Sequence, residues 1–150
     1  MPGAATAEPP LFLNGVGGLG APYWRHDFES SFVGDGDELA SLRAVVESIA
    51  FLLCVNLERM QSACVLKGIA ISGGLARCDY LCRALAAQSG LAVARLRQCE
   101  ATARGAAFLA AGGPRSWQPV PVEAQFPPAP DPALDARYHR WRSALEGGLN

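Results

Sequence analysis

The sequence predicts an α/β fold with a mixed sheet and flanking helices, and three observations carry that prediction. Strand and helix signals alternate from residue 66 onward. A long amphipathic helical segment precedes them. Two glycine motifs about fifty residues apart, Gly17-Gly18-Leu19-Gly20 and Ile71-Ser72-Gly73-Gly74, punctuate the chain where strands meet loops. The 150 residues suffice for one domain with a modest core.

Residues 11–14, Leu-Phe-Leu-Asn, read as a short strand running into the first glycine loop, and residues 31–33 as a second extended piece. Asp37 is placed to cap a helix, with Glu38 favourable in its first turn. Leu39, Leu42, Val46, Ile49, Leu53 and Leu57 then recur at three-to-four spacing, predicting one helix with an apolar core-packing stripe that ends near Gln61. Residues 66–72 suit a buried parallel strand closed by Gly73-Gly74. Residues 79–88 read as a helix stopped by Gly90, 91–96 as a strand, and 99–111 as an Ala-rich helix stopped by Gly112-Gly113-Pro114. The proline-rich stretch 117–130 is expected to be irregular and to cross the surface. Asp131-Pro132 opens a last helix whose Leu134, Tyr138, Trp141 and Leu145 line one face and dock on the domain. Residues 1–10 lack the layout of a secretory leader and are expected to form a disordered tail.

Composition excludes several classes. The formal net charge is -1, without the basic face that nucleic acid requires. No apolar run reaches the roughly 18 residues of a membrane span. Five cysteines, Cys54, Cys64, Cys78, Cys82 and Cys99, without regular spacing, argue against a disulfide framework and fit buried thiols in a reducing cytoplasm. Cys78 and Cys82 share a helix face, but with His26 and His139 the only histidines, a zinc site has little support, and no metal ligands are assigned.

Gly15-Val16-Gly17-Gly18-Leu19-Gly20 has the G-x-G-x-x-G spacing of a dinucleotide fingerprint. That fingerprint needs a helix to start at the loop, and Ala21-Pro22-Tyr23-Trp24 does not continue an apolar period. The plainer reading is a tight loop with positive φ angles. Gly73-Gly74 is more informative. Two glycines at a strand end admit a ligand close to the backbone, and the helix after them adds unpaired amides and a positive dipole end.

Five segments in order resemble the FGGY carbohydrate kinase family. Gly18-Leu19-Gly20-Ala21-Pro22-Tyr23-Trp24 is similar to its GLGAPYW segment, and Val46-Glu47-Ser48-Ile49-Ala50-Phe51 to its LEGIAF helix. Ile71-Ser72-Gly73-Gly74 resembles the VDGG adenosine motif, Ala101 to Ala110 the TALGAAYLAG helix, and Tyr138 with Trp141 the aromatic spacing of the final helix. The resemblance spans residues 11–145. It implies part of a ribonuclease H-like domain of the actin-like ATPase fold, forming the C-terminal nucleotide-binding half of a kinase that uses ATP and Mg2+ on a sugar or polyol. It places Gly73, Gly74, Leu75 and Cys78 at the nucleotide, with Cys78 where many relatives carry asparagine. Gly34 and Gly36 fall on the phosphate side, in a loop shorter than that of glycerol kinase.

The family's catalytic aspartate, its GTG phosphate loop and its first domain have no counterpart here. No catalytic residue is therefore assigned, Asp27, Asp35 and Asp37 being read as loop and capping residues. The chain alone is expected to be inactive, with an exposed sheet edge that favours self-association. The competing expectation is a non-catalytic nucleotide-binding or interaction protein derived from the same fold.

Overall fold

The computed structural model describes residues 9–97 and 100–149. In chain order the elements are β1 (Leu11–Leu13), β2 (Ser31–Val33), α1 (Glu38–Gln61), β3 (Ile69–Ile71), a 3-10 turn (Gly74–Arg77), α2 (Asp79–Ser89), β4 (Val93–Leu96), α3 (Ala101–Ala110), β5 (Val122–Phe126) and α4 (Pro132–Gly147). β1 and β2 pair antiparallel, Leu11 opposite Val33. The second sheet has the order β3-β4-β5. β3 and β4 run parallel, with Ile71 opposite Arg95 and α2 as their crossover, and β4 pairs antiparallel with β5. The sheet is mixed, as the sequence predicts.

Helix boundaries follow their capping chemistry. Asp37 accepts from the Ala40 amide at 2.7 Å and opens α1. Asp131 accepts from the amides of Ala133 and Leu134, with Pro132 at the first helical position of α4. Gly90 ends α2 at φ 68, a left-handed cap that a side chain would strain. The core joins β1, the middle of α1, α2 and α4. Phe51 packs against Tyr138 and Trp141 with ring centroids 5.4 and 5.5 Å away.

The structure corrects four readings. The stretch 117–130 contains a strand. Between Pro121 and Pro127 lies a proline-free window in which Phe126 and Ala124 turn inward while Glu123 and Gln125 face out, so the period of two survives within a proline-rich context. The buried face of α1 is rotated from the expected stripe. Ala44, Glu47, Ser48, Phe51, Cys54 and Val55 are buried, whereas Leu39 and Leu42 are 74% and 61% exposed. Small residues are buried on both α1 (Ala44, Ser48, Ala50) and α2 (Ala84, Ala86), which the leucine spacing does not reveal. β3 is parallel as expected but forms the sheet edge, with Ala70 exposed. Lastly, Pro10 of the expected tail is buried, and the carbonyls of Pro9 and Pro10 each accept from Arg137 at 2.9 Å; residues 1–8 lie outside the described residues, as does Cys99 at the start of the expected Ala-rich helix.

One polar cluster organises this core. Glu47 is fully buried on α1, and its Oε2 accepts from Arg137 Nε at 2.7 Å and Nη2 at 2.5 Å. Its Oε1 accepts from Arg43 Nε at 2.7 Å and from the Tyr80 hydroxyl at 2.5 Å. Removing one partner leaves a buried charge uncompensated. Arg137→Met is therefore expected to destabilise the domain by about 3–5 kcal/mol in urea unfolding. A loss below about 1 kcal/mol, the range of a surface ion pair, would show that the cluster does not hold the core.

Candidate functional site: the β3–α2 turn

β3 ends at Ile71, and the chain turns through Ser72 and Gly73 into the 3-10 turn and then α2. Gly73 adopts φ 95 and ψ −179, a region only glycine visits without strain. A Cβ built on Gly73 or Gly74 would meet nothing within 4 Å, so both glycines front open space. Behind them the turn is closed. The Ala76 amide donates to Gly73 O at 3.2 Å, the Cys78 amide to Leu75 O at 3.0 Å, and Ala76 is buried. Leu75 is exposed, and the half-buried Cys78 sits at the N-cap of α2 without a capping bond from its side chain. The first-turn amides of α2, at the positive end of its dipole, thus receive no bond from that thiol.

Arg95 of β4 supports this turn from beneath. Its Nη1 donates to Ala76 O at 3.2 Å and to Asp79 Oδ1 at 2.7 Å. Beside the turn, Ser72, Leu96, Ala101, Arg104, Phe108 and Trp117 line a groove of about 320 Å3, with the Arg104 guanidinium 4.8 Å from the centre of the Trp117 ring. A larger cleft of about 640 Å3 lies between α2, β5 and the start of α4, and no residue of the turn lines it.

The predicted site residues divide into two groups. Gly73, Gly74, Leu75 and Cys78 share the β3–α2 turn. Gly34 and Gly36 precede α1, and a Cβ on Gly36 would lie 2.5 Å from the Pro10 ring, so this glycine serves close packing. The loop from Gly15 to Gly20 starts no helix. Leu19 bridges to Arg25, and a Cβ on Gly18 (φ +83) would lie 2.7 Å from His26 Cα, which removes the dinucleotide reading and leaves the tight loop. Asp27 pairs with Arg25 at 2.9 Å, and that hydrogen bond holds its carboxyl down to about 2. Cys82 is buried and its thiol donates to Ala76 O, and among the described residues no three His, Cys, Asp or Glu side chains gather to hold a metal. Sequence reasoning missed Arg95, Tyr80 and Arg137. For Arg95 the available signal is a lone cation inside the apolar run 91–96.

The profile of the FGGY family of carbohydrate kinases, C-terminal domain, matches residues 2–113. This chain belongs to that family. It is similar to the glycerol kinase of Bordetella parapertussis, 37% identical over 95% of this chain and 30% of the relative, and to that of Shewanella amazonensis, 34% identical over 89% and 30%. It therefore spans about 30% of the length of the relatives it matches. Among solved structures it resembles Plasmodium falciparum glycerol kinase with ADP, with a TM-score of 0.75 and 23% identity over 95% of this chain and 31% of that one. A xylulose kinase from Brucella ovis gives a TM-score of 0.75 and 24% identity over 93% and 32%. The FGGY domain accordingly has part of the actin-like ATPase fold, as the resemblance implied. No helix among the described residues is long and apolar enough to cross a membrane.

Burial leaves a titration signature in this FGGY domain. It pushes the Cys54 thiol up to about 12 from an ordinary value of 9.0, with Glu58 adding to the effect. Burial, then the hydrogen bond to Glu47, raises Tyr80 to about 12 from 10.0. Both groups keep their proton longer when folded, so their contribution to stability is complete below about pH 9 and is lost as pH rises toward 12. The urea midpoint should be flat near neutrality and fall above about pH 9. A midpoint constant to pH 11 would contradict this burial.

Proposed function

We propose that this FGGY domain supplies the ATP-binding half of a sugar or polyol kinase acting in the cytoplasm, and that it does not catalyse phosphoryl transfer alone. The observation that supports the reading most directly is the open Gly73-Gly74 turn feeding the N-terminus of α2. Backbone amides and a positive dipole end there suit the anionic face of a nucleotide, and the absence of a Cβ lets it approach. Gly73, Gly74, Leu75 and Cys78 would form the near wall, and the groove beside Ser72 offers an apolar surface for the base.

Gly34 and Gly36 would stand on the phosphate side only indirectly, because Gly36 is committed to Pro10. Mg2+ would arrive with the nucleotide, offsetting phosphate charge. Transfer of the γ-phosphate to a hydroxyl depends on groups arrayed on both sides of the reacting centre. In this reading the substrate side and the general base belong to the remainder of a kinase of the relatives' length. Glycerol is the first substrate to test with a complete protein, since the relatives named above are glycerol kinases.

The Gly36–Pro10 contact and the thiol at Cys78 also favour a second reading. A non-catalytic member of the fold, with altered or lost nucleotide contacts, would carry both.

Calorimetric titration with Mg-ATP and Mg-ADP separates the readings. The unaltered chain is expected to bind and a Gly74→Asp variant to lose binding. The site has room for the new side chain, and its charge opposes phosphate at the helix end. Binding that survives in the variant would move the nucleotide elsewhere. A folded chain that binds neither nucleotide would favour the non-catalytic reading. Phosphorylation of glycerol or xylulose by the isolated chain would overturn the proposed inactivity. The β3 edge and the exposed Leu39 and Leu42 also favour self-association, which sedimentation at high concentration should reveal as species above monomer mass.

A further inference from the structure

We propose that Arg95 is a positioning residue for the nucleotide turn, an inference that rests on the nucleotide reading of that turn. In the β3–β4 register Arg95 lies opposite Ile71, at the point where β3 gives way to the turn. Its Nη1 bonds two acceptors from successive pieces of the loop. One is Ala76 O, inside the 3-10 turn, and the other is Asp79 Oδ1, on the first turn of α2. Ala76 O also accepts from the Cys82 thiol at 3.3 Å, so strand and helix meet at one buried carbonyl.

The turn has little else to fix it. Its backbone bonds, among them those donated by the Ala76 and Cys78 amides, are of the i→i+3 type, a geometry weaker than that of an α-helix. Gly73 and Gly74 contribute no side-chain packing. Arg95 is therefore the side chain that ties the turn to the sheet, at Ala76 O and Asp79.

The setting of Arg95 suits this task. Its side chain is only 15% exposed, and its guanidinium lies 5.4 Å from the centre of the Phe126 ring, so β5 covers the arginine, while the Asp79 carboxylate it meets is 49% exposed. Nε is buried without a hydrogen-bond partner, and the nearest carboxylate oxygen to it in an ion pair, Glu123 Oε1, is 3.9 Å away. Arg83 also approaches Asp79, at 3.5 Å, but it is well exposed and leaves the turn carbonyl to Arg95. The charge-assisted bond to the covered Ala76 carbonyl, with the half-exposed Asp79 contact beside it, is worth about a decade in an equilibrium that depends on it.

The test titrates the unaltered chain, Arg95→Met and Arg95→Lys with Mg-ADP and with adenosine, and follows amide exchange over residues 73–79. Arg95→Met is expected to weaken both ligands alike, by roughly tenfold, and to speed exchange in the turn. Arg95→Lys, which keeps a donor and the charge, should recover part of the affinity. If Arg95→Met does not fold, Asp79→Asn removes the charge from the shorter contact and should weaken both ligands about threefold. Unchanged affinity in the altered chains would overturn the proposal. So would a loss confined to Mg-ADP, which would mean that Arg95 touches phosphate directly. If the unaltered chain binds neither ligand, the nucleotide reading fails first and this inference falls with it.

Discussion

The buried carboxylate of Glu47 is the constraint on which the rest of this domain depends. It sits midway along α1 and binds three side chains, one from α1 itself, one from α2 and one from α4. Arg137 extends the cluster to the backbone before β1 through Pro9 and Pro10. Two guanidinium groups and a phenol around one carboxylate satisfy a charge that could not otherwise be buried. Such a cluster adds little net stability over a well-packed apolar core. Its effect is directional, because only one placement of α2 and α4 on α1 satisfies every donor.

That placement positions the candidate site. Tyr80, which reaches Glu47, lies in the first turn of α2, two residues beyond Cys78 and six beyond Gly74. The same helix start is tied to the sheet by Arg95. The β3–α2 turn is thus held by one polar group from the helical layer and one from the strand layer, while its glycines face outward. The other side of the domain is less complete. β3 is a sheet edge, and α3 has no buried residue.

Much of this was legible in the sequence, for local reasons. Caps at Asp37, Gly90 and Asp131 act within a few residues and mark helix ends in any context. The aromatic face of α4 follows from spacing, and the family follows from short motifs that keep their order. What was not legible depends on contacts between distant residues. The buried face of α1 turns on Glu47, which looks like a surface residue until Arg137, ninety positions away, supplies its partner. The leucines at 39 and 42 have helical spacing, but they lie before the part of α1 that packs. β5 hid among prolines because its pairing partner, β4, is what makes it a strand. Arg95 looked incidental in an apolar run until Ala76 and Asp79 closed on it.

Amide hydrogen exchange on the Glu47→Gln variant tests most directly whether one carboxylate organises the domain. The amide neutralises the charge while keeping the shape. Faster exchange should appear together in the first turn of α2, in α4 around Arg137 and in β1, with the far end of α1 unchanged. Acceleration confined to α1 near residue 47 would mean that the helices hold their places without the cluster, and would contradict the account.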